Sequence, residues 1–175
     1  DGNVIASGGM DGHLILWGAA TGDILQVIRA HVGGVLSLIF SHDGQMVISG
    51  GADESICLWQ TENGRPLGQF WACKGVIRDL ALAPDGNTLA SAGGDGYVRL
   101  WDVARRETIG GLRGHTADVN AVDFSPDGRL LASAGDDDTV RIWDVERRCE
   151  LAQLSAHTAW VNSVRFNPNG LLLAS

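Results

Sequence analysis

A 42-residue period runs through this sequence without interruption. It is marked by tryptophans, serines and aspartates that recur at one spacing, namely Trp17, Trp59, Trp101 and Trp143; Ser7, Ser49, Ser91, Ser133 and Ser175; and Asp11, Asp53, Asp95 and Asp137. Repeats of about 40 to 45 residues are typical of units built from four β-strands, whereas helical repeats are nearer to about 33 or 34 residues. The period therefore predicts an array of stacked β units.

One unit, residues 115–154, shows what each repeat contains. Segments of strand length, apolar or alternating, follow one another and are separated by turn-forming residues. The strand segments are VNAVDF, LLASAG, VRIWDV and ELAQL, and the turns are SPDG, DDDT and ERR. Apolar side chains point to both faces of the resulting sheet, as in Val119, Val122, Phe124, Leu131, Val140 and Ile142. Each unit must therefore be covered by the sheets of neighbouring repeats.

The segment GHTADVNAVDFSPDGRLLASAGDDDTVRIWDV resembles the WD-repeat family, in the style of its bacterial members. Weaker copies on either side extend the resemblance over the whole chain. Two copies end in Trp-Asp, at Trp101 and Trp143, whereas Trp17 and Trp59 are followed by Gly18 and Gln60. The resemblance implies an all-β fold, a β-propeller whose blades are four-stranded antiparallel sheets.

The period also divides the chain into blades, whose strands we call a to d in chain order. We expect a partial blade of strands b, c and d at 1–28, complete WD blades at 29–70, 71–112 and 113–154, and a partial blade of strands a and b at 155–175. WD-type rings generally close with more blades than this. We therefore expect an incomplete ring in this chain, completed either by further blades in a longer chain or by a homodimer.

Three residues of one repeat, His115, Ser133 and Asp137, are the residue types of a catalytic triad. The same types recur at the same offsets in an earlier repeat, and catalytic groups are not normally copied once per structural unit. We therefore interpret the set as structural. In the WD-repeat family these positions and the tryptophan form a hydrogen-bonded tetrad, which the resemblance implies for His31, Ser49, Asp53 and Trp59 and for His115, Ser133, Asp137 and Trp143.

The repeat between these two lacks the histidine. Cys73 stands at its position, while Ser91, Asp95 and Trp101 keep the other three places of the tetrad. We expect this blade to be less rigid than its neighbours. No second ligand lies near Cys73 at metal-binding spacing, so we interpret it as a small filler residue rather than a metal ligand or a reactive thiol.

Composition excludes several function classes. With a net charge of −8 and only 13 basic residues, the chain has little with which to follow a phosphate backbone, so no nucleic acid partner is expected. No apolar stretch approaches about 18 residues, so we expect no membrane span. Cys57, Cys73 and Cys149 form neither a disulfide framework nor a metal pattern, which favours a reducing, cytoplasmic setting.

No catalytic, cofactor-binding or metal-binding residue is predicted, and we expect the chain not to be an enzyme. The glycine-rich segment 91–96 lies in a turn between strands, not ahead of a helix as in a phosphate loop. The acidic run 136–138 lacks the spaced ligands of a calcium loop. We expect the run to be a solvated turn.

Loop residues around the channel mouth of a propeller vary while the scaffold stays constant, so binding is expected there. Transferred position by position, the family pattern indicates Arg78, Asp118, Asp136 and Trp160 as candidates for partner binding. Trp160 could instead cover the edge of its own blade or fill the junction to the next repeat. We expect a non-catalytic scaffold that binds other proteins or peptides, the alternative being a sensor or regulatory propeller of a larger signalling enzyme.

Overall fold

All regular elements in the described part of the chain are β-strands. The computed structural model describes residues 2–71 and 75–175. The chain forms two compact units, residues 1–77 and 78–175. The all-β expectation is therefore confirmed, and each unit is built from antiparallel sheets whose strands follow one another in chain order.

The first unit contains two sheets. The first sheet has three strands, β1 (Val4–Gly8), β2 (His13–Gly18) and β3 (Ile24–Arg29). The second sheet has four, β4 (Val35–Phe40), β5 (Met46–Gly51), β6 (Ser55–Gln60) and β7 (Pro66–Trp71). One core joins the two sheets, from Leu14 and Leu16 on β2 to Val35 and Val47 on β4 and β5.

The second unit contains three sheets. Two have four strands, β8 (Ile77–Leu82), β9 (Thr88–Gly93), β10 (Tyr97–Asp102) and β11 (Glu107–Arg113), then β12 (Val119–Phe124), β13 (Leu130–Gly135), β14 (Val140–Asp144) and β15 (Cys149–Leu154). The last has two short strands, β16 (Arg165–Phe166) and β17 (Leu173–Ala174). Strand a is therefore much shorter in this last sheet than in the sheets before it.

Both faces of the β12–β15 sheet are covered, as the apolar patterning requires. On β13, Leu131 packs into the core shared with the β8–β11 sheet, and Ala132 and Ala134 pack into the core shared with β16 and β17. All three side chains are fully buried. Burial of a side chain as large as leucine contributes about 1.5–3 kcal/mol. Neighbouring repeats thus hold one another together.

The Ser-Pro-Asp-Gly turn between β12 and β13 shows how the sequence sets the hairpins. The Ser125 hydroxyl donates to the Asp127 carboxylate over 2.6 Å and accepts the backbone N–H of Leu130 at 2.9 Å. Gly128 has a φ of 71°, a left-handed conformation that glycine adopts without steric cost. The glycine and the hydroxyl together close the turn and align the two strands.

The four aligned tryptophans each follow an irregularity in the sheet. The pairing of strands c and d shifts register immediately before Trp17, Trp59, Trp101 and Trp143. Such a bulge changes the direction of the side chain that follows it. Each of these indoles reaches across to the serine of strand b.

Candidate functional site

In the second repeat the four tetrad side chains are joined end to end. The indole N–H of Trp59 donates to Ser49 Oγ over 2.9 Å, and Ser49 lies 2.8 Å from His31 Nε2. His31 Nδ1 lies 2.8 Å from an oxygen of Asp53, whose other oxygen accepts the backbone N–H of Val32 at 2.8 Å. Since an indole only donates and a carboxylate only accepts, Ser49 donates to His31 and His31 donates to Asp53.

The fourth repeat has the same geometry. Trp143 donates to Ser133 over 2.8 Å, Ser133 lies 2.7 Å from His115 Nε2, and His115 Nδ1 lies 2.9 Å from Asp137. Thr139 adds a hydroxyl hydrogen bond of 2.7 Å to the same carboxylate. Ser133 has no exposed surface. A substrate carbonyl therefore cannot reach the hydroxyl that a hydrolase would use as its nucleophile.

In the third repeat the tetrad aspartate has a different partner. Both oxygens of Asp95 accept from the Arg99 guanidinium, at 3.0 and 2.6 Å, while Trp101 still donates to Ser91 over 3.0 Å. Tyr97 stands where the other repeats carry Ser55 and Thr139, and its ring lies 5.2 Å from the Arg99 guanidinium. Cys73 lies outside the described residues, and the expected lower rigidity of this blade stays a prediction.

Sequence reasoning missed Arg99. We expected the loss of the histidine to leave Asp95 without that partner, but a bidentate ion pair takes its place. The signal was present in the alignment of the repeats. Arginine occurs four residues after the tetrad aspartate in the third and fourth repeats, at Arg99 and Arg141, where the earlier repeats have Ile15 and Cys57.

The terminal sheets contain parts of the same pattern. In the first sheet Trp17 donates to Ser7 over 2.8 Å, and Asp11 accepts the backbone N–H of His13 at 3.1 Å. In the last sheet His157 Nε2 lies 2.7 Å from Ser175 Oγ. These contacts have the same residue types and spacings as the buried tetrads.

Three of the candidate binding residues lie at one end of the β12–β15 sheet, namely Asp118, Asp136 and Trp160. Asn120, which sequence reasoning had not selected, lies at the same end. Arg78 on β8 forms an ion pair with Asp118, which immediately precedes β12. The amide nitrogen of Asn120 donates to Asp136 over 2.6 Å and to the carbonyl of Val161 at 3.2 Å. Trp160 precedes Val161 and is 68% exposed. We call Arg78, Asp118, Asn120, Asp136 and Trp160 the polar face.

The family described as "WD domain, G-beta repeat" matches residues 1–18, 22–60, 64–102, 106–144 and 148–175. The chain belongs to the WD-repeat family. A search of curated proteins finds no significant match to the chain.

Family membership accounts for the sheets of this protein. Its four-stranded antiparallel sheets are the blades of a WD repeat, so the predicted fold class is confirmed. WD repeats generally serve as platforms for protein interactions and are typically non-enzymatic. That the tetrads have a structural role, and that the polar face binds partners, stay predictions.

Cys57 is buried and Cys149 is exposed, both as free thiols, and burial raises the pKa of Cys57. Nowhere in residues 2–71 and 75–175 do three histidine, cysteine or acidic side chains come together in a metal-binding arrangement. Within the same ranges there is no helix long and apolar enough to span a membrane.

In the tetrad of the fourth WD repeat, both titratable groups have shifted pKa values. Burial raises the pKa of Asp137, but hydrogen bonds from Thr139, His115 and the Thr116 N–H outweigh burial and lower it to about 2. Burial lowers the pKa of His115 below its usual 6.5, and the neighbouring Asp137 only partly opposes this. The folded state therefore favours a charged carboxylate and a neutral imidazole.

These two shifts predict that the protein loses stability in acid. The unfolded chain protonates His115 near its ordinary pKa of 6.5, and the folded chain does so only at lower pH, so the free energy of unfolding falls as the pH drops below this value. Protonation of Asp137 lowers the free energy of unfolding by a further ~2 kcal/mol as the pH falls from 3.8, its ordinary pKa, to about 2. Urea unfolding at a series of pH values measures both steps.

The variant Asp137→Asn separates the two contributions. Because asparagine does not titrate, the loss of stability below about pH 4 that comes from this side chain should disappear. A pH profile of Asp137→Asn that keeps the full wild-type decrease in this range would show that other carboxyls cause it.

Proposed function

We propose that this WD-repeat protein is a non-catalytic scaffold that binds partner proteins or peptides through the polar face. The observation that carries the proposal is the exposed indole of Trp160 beside fixed polar groups. Most large apolar side chains of the β8–β15 sheets are buried, whereas Trp160 exposes 68% of its surface. Tryptophan and arginine are enriched at the centres of protein interfaces.

The polar face is held in place before any partner arrives. Val161 N–H donates to the carbonyl of Gly135 over 3.1 Å, and Asn120 bridges Asp136 and the Val161 carbonyl. The ion pair between Arg78 and Asp118 also restrains these two side chains. A surface whose side chains are already ordered loses little conformational entropy on binding, which favours affinity.

The geometry changes how Arg78 and Asp118 are interpreted. Sequence reasoning selected each of them as a candidate for partner binding and did not predict a contact between them. In the structure each has the other as its partner across two strands. In the proposed interface they act as one neutral pair, which contributes shape and hydrogen bonds more than charge.

The corresponding positions of the first unit are apolar. Met10 occupies the repeat position of Asp136, and Gly34 that of Trp160. Met10 and Val32 are 76% and 77% exposed. Since the two units present such different side chains at these positions, we assign recognition of polar partners to the second unit.

We expect the variant Trp160→Ala to lose peptide ligands. Random 12-residue peptides displayed on phage are selected against the full chain, and the affinity of the selected peptides is measured by calorimetry. Truncation of a central interface tryptophan costs about 2 kcal/mol or more, so Trp160→Ala should weaken binding by at least about 30-fold. Its stability should not change, because the side chain is exposed.

A matched control is Trp71→Ala. Trp71 is 69% exposed, as Trp160 is, but lies at the end of β7 in the first unit. Its removal should leave the selected peptides bound with wild-type affinity. The proposal is wrong if the selected peptides bind Trp160→Ala as tightly as they bind the wild type.

A further inference from the structure

Asp136 and Trp160 occupy neighbouring backbone positions on the polar face. The residues next to them, Gly135 and Val161, are joined by the backbone hydrogen bond of 3.1 Å. One amide nitrogen of Asn120 donates both to the Asp136 carboxylate and to the Val161 carbonyl. The carboxylate and the carbonyl of Val161, the residue after Trp160, are therefore held within reach of a single side-chain atom.

The first unit shows how close side chains come at these two repeat positions. There Met10 and Gly34 take the places of Asp136 and Trp160, and Val35 N–H donates to the Gly9 carbonyl over 2.9 Å. A Cβ atom added at Gly34 would lie 2.8 Å from the sulfur of Met10. Side chains at these two repeat positions can therefore come into contact, and we infer the same of Asp136 and Trp160.

The charge of Asp136 is not neutralised by a cation among the described residues. Its hydrogen-bond donor is the neutral amide of Asn120, while the nearby Arg78 is paired with Asp118. The carboxylate of the next residue, Asp137, is hydrogen-bonded to His115 within its tetrad. The net charge of −8 for the whole chain adds a field that attracts cations.

An exposed indole beside an unneutralised carboxylate suits one class of ligand. A guanidinium group stacks on the face of an aromatic ring and donates hydrogen bonds to a carboxylate at the same time. An ammonium group offers a point charge without the planar surface, so arginine fits this pair better than lysine. An acidic or purely apolar side chain would leave the carboxylate desolvated and unpaired.

We propose that Asp136 and Trp160 form a recognition site for an arginine side chain of the bound partner. This rests on the proposed function, since it names the chemistry that the polar face selects. Asp136 accepts the guanidinium N–H groups, and Trp160 covers the guanidinium plane. Asn120 is a positioning residue, because it holds the carboxylate in place beside the ring.

The test compares two small peptides that differ in a single side chain. The probes are acetyl-Gly-Gly-Arg-Gly-Gly-amide and the same peptide with citrulline, which has nearly the shape of arginine and is neutral. Each is titrated into the ¹⁵N-labelled full chain, and the indole N–H signal of Trp160, assigned from Trp160→Phe, is followed. We expect the arginine peptide to shift this signal and to bind about fivefold more tightly than the citrulline peptide.

The variant Asp136→Asn removes the charge and keeps the geometry, because the asparagine oxygen still accepts from Asn120. We expect it to bind the arginine peptide about fivefold more weakly than the wild type, at the level of the citrulline peptide. The control Glu146→Gln removes one negative charge from the exposed turn at the other end of β14 and should leave the affinity unchanged.

Each outcome decides the proposal. Equal affinities of the two peptides for the wild type would overturn it, as would wild-type affinity of Asp136→Asn for the arginine peptide. If the phage-selected peptides need Trp160 but these two probes bind equally, the interface stands and the arginine site fails. If the selected peptides do not need Trp160 either, the proposed function fails with it.

Discussion

The variant Trp143→Ala should lower the free energy of unfolding by about 4 kcal/mol. The side chain is only 1% exposed and is among the largest that are fully buried. Its ring packs in the core shared with the β8–β11 sheet, and its N–H donates to Ser133. Truncation of a buried tryptophan costs about 3–5 kcal/mol through lost contacts and the cavity left behind. Urea unfolding followed by circular dichroism measures the loss.

Trp17→Ala is the matched control for this prediction. Trp17 has the same repeat position and the same hydrogen bond to a serine, at 2.8 Å, but its indole is only partly buried. We expect a loss of about 1–2 kcal/mol, because less apolar surface returns to water. Equal losses in the two variants would mean that the hydrogen bond, and not burial between sheets, dominates the energetics of this position.

The second large effect is expected for Asp137→Ala, a loss of about 3 kcal/mol. The carboxylate accepts hydrogen bonds from His115, Thr139 and the Thr116 N–H, and its side chain is 5% exposed. Removing it leaves the buried donors of His115 and Thr139 without their acceptor, and each unsatisfied buried group costs about 1–3 kcal/mol. The loss is measured by urea unfolding near pH 7, where the carboxylate is charged.

The control is Asp11→Ala, at the same position of the first repeat. The Asp11 side chain is 70% exposed, and its hydrogen bond is to the neighbouring His13 N–H. We expect no measurable change in stability there. The structural interpretation of the tetrad would be wrong if Asp137→Ala were as stable as the wild type.

Much of the local structure could be predicted from sequence, because it depends on short-range preferences. The segments VNAVDF and LLASAG coincide with β12 (Val119–Phe124) and β13 (Leu130–Gly135). The Pro-Asp-Gly turn between them adopts the expected left-handed conformation at Gly128. Alternation of side chains and the backbone freedom of glycine act within a few residues, so the pattern alone is sufficient.

The ion pairs of the site could not be predicted in this way. Arg78 and Asp118 are 40 residues apart in the chain and meet because β8 and β12 belong to adjacent sheets of one unit. Arg99 replaces the tetrad histidine as the partner of Asp95 because the carboxylate and the guanidinium share one side of the hairpin. Sequence reasoning identified Arg78 and Asp118 as candidate binding residues, but it did not predict that they form an ion pair with each other.

The sequence by itself determined the repeat, the strands, the turns and the family. Each of these follows from a residue pattern that recurs every 42 residues and can be read along the chain. Only the tertiary structure decided which polar groups are buried and what each one contacts. The carboxylates of Asp136 and Asp137 are adjacent in the chain, yet one accepts a hydrogen bond from Asn120 on the polar face and the other lies inside a tetrad. The packing of neighbouring sheets, which covers the Asp137 side chain almost completely and leaves Asp136 only partly buried, makes this difference.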